Sequence, residues 1–325
     1  MARPQSATVV LAGGHESRGG RDLAALVAAG LAVPAPAPAL ADPAAPAPAL
    51  AVHAAVPAPA LAVHAVAPVG RPLTEAVRSA LAVGEGPVCV VPMTLGRDPR
   101  LVADTARALR WLAAGEGRSR LALTAPFGAA EHLVGWLRAA AGAAPEGAVL
   151  VTAPAAGPFE DAELFRIARL VRQYGRHRWV EVAFDGGDPD PAEGAERCRL
   201  LGADEVTAVP ASFGPAPRTA PPGARDGARG SARDGVRDGG PLLRPAAIAG
   251  VVAARTAAAL HLLGRGEDGI LAGLGAEHGH GYAHSHGPGE PHHHHHSHPH
   301  QHPQHPQHSQ HPHPQKPHAP AHTPH

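Results

Sequence analysis

Hydrophobic and polar positions along this chain fall into short apolar runs that alternate with longer stretches of helical spacing. Residues 8–12, Thr-Val-Val-Leu-Ala, form a β-rich apolar run ending at Gly13-Gly14, which reads as a buried parallel strand followed by a loop. Residues 21–30 have helical character and stop at a glycine. A strand is expected at 61–66, a helix at 74–83 and a strand at 88–91. Asp98 then caps a helix running through Trp111, with Pro99 in its first turn. A strand at 121–124 and a helix at 131–141 complete the first series.

The pattern restarts at residues 148–152, a strand that ends in the small-residue loop 153–157. A helix at 161–174 carries Leu164, Ile167, Ala168 and Val171 on one face. Strands at 179–184 and 206–209 flank a helix at 192–201, and a last helix spans 244–263. Alternation of strand and helix predicts an α/β fold with parallel sheets covered by helices on both faces. Val88-Cys-Val-Val-Pro92-Met-Thr-Leu-Gly96 aligns with Val206-Thr-Ala-Val-Pro210-Ala-Ser-Phe-Gly214, so the two halves read as copies.

The offset between the copies also locates an insertion. It is 118 residues from Pro92 to Pro210 but about 140 between the first strands. The difference equals two units of an 11-residue repeat, 45–55 and 56–66, in which Pro-Ala-Pro-Ala-Leu-Ala-Val-His recurs. The expected organisation is therefore an N-terminal lobe at 1–145 with a low-complexity Pro-Ala insertion at 34–59, and a C-terminal lobe at 146–265 with a disordered loop at 216–240. A disordered tail follows at 266–325.

Composition narrows the function. Pro (37) and Gly (38) concentrate in 34–59, 216–240 and 287–325, which leaves enough ordinary sequence for two small lobes. Aromatic residues are 3%, so Val, Leu and Ala must build the core. The formal charge is zero, which argues against a nucleic-acid partner and against acidic membranes. Cys89 and Cys198 lack CxxC spacing and read as buried packing residues in a reducing compartment. No run reads as reaching the ~18 apolar residues of a membrane span, so the chain is expected to be cytoplasmic. Trp111 and Trp136 read as core. His132, His177 and His261 read as structural or solvated, and Asp185, Asp188 and Asp190 as a solvated turn.

Two features carry candidate chemistry. Ligands of open parallel sheets bind beyond the carboxyl ends of the strands, and there the first half places Gly13-Gly14-His15-Glu16-Ser17-Arg18. His15 can coordinate a ligand or transfer a proton from such a loop, or simply cap the next helix or face water. The second feature is the tail, with 19 of the 25 histidines from His278 onward. His278, His280, His284, His286 and the run His292, His293, His294, His295 and His296 are candidate ligands for a divalent transition metal, Ni²⁺ or Zn²⁺ as well as Co²⁺. Binding there should fall below about pH 6 as the imidazoles protonate.

The strand followed by Gly14-His15-x-Ser17-Arg18 resembles the opening strand–GHGSR element of the CbiX-type sirohydrochlorin cobaltochelatases, class II chelatases built from two flavodoxin-like lobes. The Pro92 turn, Trp179-Val-Glu-Val-Ala-Phe184, and Ala192-Glu-Gly-x-Glu-Arg-Cys-Arg-x-Leu-Gly202 leading into Pro210 extend the resemblance over residues 7–30 and 60–215. It implies insertion of Co²⁺, as substrate, into a sirohydrochlorin-like tetrapyrrole between the lobes, as in cobalamin biosynthesis. His15 would contact metal and take pyrrole protons. Glu16 stands where the family has glycine and would assist as ligand or base. The family's second histidine falls on Arg100 and its aspartate on Asp104. Asp104 would serve catalysis, while Arg18 and Arg100 would face the carboxylates of the substrate. A non-catalytic metal buffer or metallochaperone working through the tail is the alternative, and a tetrapyrrole-binding module without insertion is a third.

Overall fold

In a computed structural model, residues 7–33, 62–217 and 235–276 can be described. The Pro-Ala insertion at 34–59, most of the 216–240 loop and every histidine of the tail lie outside them. The chain runs β1 (Thr8–Gly13), α1 (Arg21–Ala28), β2 (Ala62–Pro68), α2 (Arg71–Val83), β3 (Val88–Met93), α3 (Pro99–Ala114), β4 (Leu121–Leu123) and α4 (Ala130–Ala143). It continues through β5 (Ala148–Pro154), α5 (Pro158–Tyr174), β6 (Val180–Asp185), α6 (Pro191–Leu200), β7 (Val206–Pro210), β8 (Arg237–Asp238), α7 (Pro245–Leu263) and α8 (Ile270–Leu274).

The strands form two parallel four-stranded sheets, ordered β2-β1-β3-β4 and β6-β5-β7-β8. Adding four to each number of the first order gives the second, so topology repeats as the sequence does. The sequence alignment paired Val88–Gly96 with Val206–Gly214, and these stretches supply the equivalent strands β3 and β7. Each sheet's central strands are apolar except for single threonines, with Val9, Val10, Leu11, Val90 and Val91 in one and Leu150 and Val151 in the other fully buried. Continuous rather than alternating apolarity is what a sheet covered on both faces requires.

The helices do not stay with their own sheets. α4 follows β4 but packs against α5 and β7, while α7 follows β8 yet lies on β3 and β4. There Ala259 of α7 meets Cys89 and Ala122, with Leu260 and Leu263 beside them. One core cluster consequently joins Leu133 and Leu137 of α4 to Leu164, Ile167 and Val171 of α5 and to Ile248 and Val252 of α7. α8 packs on α3 at the opposite face of the first sheet, with Ile270 in the cluster of Leu109, Leu121 and Leu123.

Four expectations change. The end of the 216–240 loop supplies the edge strand β8, which pairs with Thr207 and Ala208. Residues 266–276 are not part of the tail but form the α8 segment, too short for periodicity to reveal. α7 has 19 residues and mean hydropathy 1.7, so one segment does meet the length and apolarity of a membrane span. Its hydropathy comes from a run of small alanines and valines rather than bulky side chains, and one face is buried on β3 and β4. Trp111 is 74% exposed rather than core. It lies on the outer face of α3, with the Arg110 guanidinium 4.9 Å from its ring centroid.

Candidate functional site

The carboxyl ends of both sheets meet, and the loop after β1 lies at the junction. After Gly14 the chain makes a single 3-10 turn, His15–Ser17, and leaves it through Arg18 in the left-handed region (φ 50°). Ser17 holds the turn by donating to the Gly14 carbonyl and accepting from the Gly20 amide. This turn packs against β5 of the second sheet, and the Phe213 amide just past β7 donates to the Glu16 carbonyl (3.0 Å).

His15 is paired with Asp98, Nδ1 to Oδ2 at 2.9 Å. Asp98 is the N-cap of α3: its Oδ1 accepts from the Leu101 amide at 2.9 Å. Burial pushes the Asp98 carboxyl upward, but the hydrogen bond and charge of His15, with the Leu101 and His15 backbone amides, outweigh it and the net direction is down. The carboxylate therefore stays ionised beside the ring and favours Nδ1 as donor. Nε2 is then the free position, and it is buried without a hydrogen-bond partner. A carboxylate on one imidazole nitrogen that leaves the other unpartnered is the arrangement that orients a histidine as metal ligand or base. Gly14 makes the approach possible, since a Cβ there would collide with Asp98 Oδ2.

Glu16 points elsewhere. Its side chain is fully buried, accepts from Thr94 Oγ1 and from the Leu95 amide (2.8 Å), and faces Arg97 Nε at 3.7 Å. The expected role as an open ligand or base is corrected accordingly: the carboxylate reaches no solvent and anchors the β1 loop to the loop after β3. Arg97, also fully buried, extends this link by donating to the Glu160 carbonyl at 3.2 Å and lying 3.7 Å from Asp161, both at the start of α5. A buried charged column thus runs from one half of the molecule to the other.

The remaining candidates lie around the rim. Arg18 bridges Asp22 (3.3 Å) and Asp185 at the end of β6 (3.2 Å), so Asp185 is an interlobe partner rather than a purely solvated turn. Asp190 caps α6 through the Glu193 amide. Arg100 is 64% exposed, 3.7 Å from Glu160. Asp104 sits on the outward face of α3 and pairs with Arg107, so it is not brought to His15. Among the described residues no group of three or more His, Cys, Asp and Glu side chains is arranged to hold a metal. The tail candidates His278 to His296 lie outside the described residues. Cys89 and Cys198 are buried, and burial pushes both thiols up to about 12, which suits packing.

Sequence reading missed Asp98, Thr94 and Arg97 as members of the site. Asp98 announced itself only as a helix cap, because cap chemistry uses one carboxylate oxygen and the sequence does not show where the other points. No family model, curated protein or solved structure matches the chain.

Proposed function

We propose that this chain is a chelatase-type enzyme that inserts a divalent metal, Co²⁺ by the resemblance of its first loop, into a sirohydrochlorin-like tetrapyrrole. The observation that carries the reading is His15, held by Asp98 through Nδ1, with Nε2 unpartnered where the carboxyl ends of two parallel sheets converge. That is where open α/β sheets receive ligands. The repeated sheet order supports the two-lobed duplication expected from the sequence, and on this reading the reaction would run in the cytoplasm.

Metal insertion releases two pyrrole N–H protons for each divalent ion that enters the ring. His15 Nε2 accepts one, the other passes to solvent, and Asp98 stabilises the imidazolium that results. Arg100 is free enough to meet a peripheral carboxylate of the macrocycle. Glu16 and Asp104 take no part in these steps. The test is absorption spectroscopy of sirohydrochlorin with Co²⁺ and purified protein. Acceleration that survives removal of residues 277–325 but not His15→Ala supports the enzyme.

A metal-buffering or metallochaperone role through the tail is the second reading. It is favoured by the lack of a three-ligand cluster among the described residues and by the 19 histidines beyond them. Absence of any acceleration, with several metal ions bound per chain and lost on truncation, would support that reading over the enzyme.

A further inference from the structure

A groove of about 570 Å³ lies between α4 and α5, at the end of the second sheet remote from the His15 loop. Its polar lining is basic: Arg138 from α4, Arg176 and His177 from the α5–β6 connection, and Tyr174 at the end of α5, with no carboxylate among the lining residues. His177 is 6% exposed, and its ring nitrogens sit 2.7 Å from the Ala141 carbonyl and 3.1 Å from that of Gly147, which fixes it as part of the wall. Arg138 spends one Nη on the Tyr174 carbonyl (2.9 Å), and Arg176 spends one on the Ala144 carbonyl. A guanidinium has five N–H donors, so both retain several. Neither forms an ion pair with a carboxylate among the described residues.

The surrounding charge points the same way. Residues 164–180 hold five arginines and no aspartate or glutamate. Arg172 and Arg178 both lie 4.8 Å from the Trp179 ring, and neither has an acidic partner among the described residues. The apolar wall is bare. Gly135 and Gly142 of α4 line the groove, and a Cβ on either would meet nothing within 4 Å. Glycine inside a helix is destabilising relative to alanine, and here no packing among the described residues requires it. The two glycines leave a flat surface on which a ring can lie, and the arginines offer planar, forked donors at its edge. A mostly apolar pocket of this size with a few converging donors has the anatomy of a small-molecule site.

We propose that the groove binds a small aromatic anion, an aryl carboxylate or aryl phosphate, with its ring over Gly135 and Gly142 and its charge on Arg138 and Arg176. This site is separate from His15 and stands whether or not the chain inserts metal.

Calorimetric titration of the full chain with 1-naphthoate, 1-naphthyl phosphate and neutral 1-naphthalenemethanol tests it. Saturable binding of one anion per chain is expected, at least tenfold tighter than the alcohol, and the tighter anion identifies the preferred group. A Cβ at residue 142 meets nothing within 4 Å and leucine is the better helix former, so Gly142→Leu should melt no lower than wild type and lose at least tenfold in affinity. Arg138→Gln with Arg176→Gln should do the same, and His15→Ala should bind like wild type. The proposal is overturned by no saturable binding, by equal binding of the alcohol, by undiminished binding to folded Gly142→Leu, or by a wild-type dimer that Gly142→Leu splits.

Discussion

Asp98 uses its two carboxylate oxygens for two different structures, one capping α3 at Leu101 and the other holding His15. Replacing it therefore has two readouts. Because its carboxyl is held below the ordinary range, the stabilisation it provides is present above about pH 4 and fades as pH falls through the depressed value. Thermal melts of wild type and Asp98→Ala should differ by the equivalent of about 1–2 kcal/mol near neutral pH, and the gap should narrow below about pH 4. A gap independent of pH would show that the cap carries the whole effect without the ionised carboxylate. Gly14→Ala tests the same contact from the other side. Its Cβ collides with Asp98 Oδ2, so the variant should lose about 1–3 kcal/mol by denaturant unfolding. His15 was legible in the sequence because a histidine between glycines after a strand is a recognisable loop pattern. Its partner was not, since spacing along the chain does not reveal which oxygen of a cap is left over.

At the scale of elements, short apolar runs bounded by glycine and proline located the strands, and Asp98-Pro99 located the start of α3, whereas Asp190, read as a solvated turn, proved to cap α6. Periodicity reveals which face of a helix is buried but not which sheet buries it. That is why the exchange of α4 and α7 between the halves was invisible, and why Trp111 on the outer face of α3 was taken for core. Glu16 belongs here too. It lies in a loop, where a charged residue ordinarily faces water, yet its neighbours Thr94, Leu95 and Arg97 fold over it. Glu16→Gln removes one of the two carboxylates that face buried Arg97 and leaves Asp161 as its counter-charge, so the loss should be about 1–3 kcal/mol. A shift of the urea midpoint of that size is expected. A change below about 0.5 kcal/mol, the scale of an ordinary surface substitution, would contradict the burial of this column.

For the whole molecule, the exchanged helices make each sheet dependent on chain from the other half. A fragment ending at residue 145 lacks α7 and α8, which cover β3, β4 and α3. It should give a poorly dispersed NMR spectrum alone, as should 146–276, and mixing the two should restore dispersion. A well-dispersed spectrum from either fragment would show that the exchange is dispensable. Zero net charge and two cysteines without CxxC spacing narrow the class from composition alone, whereas the choice between inserting and storing a metal depends on geometry at one histidine. The central claim is that His15, oriented by Asp98, performs the insertion. Its most direct test is the rate of Co²⁺ insertion into sirohydrochlorin by residues 1–276, compared with His15→Ala in the same chain. The account predicts acceleration over the uncatalysed rate and its loss by about 10²-fold or more in the variant; equal rates for the two proteins would contradict it.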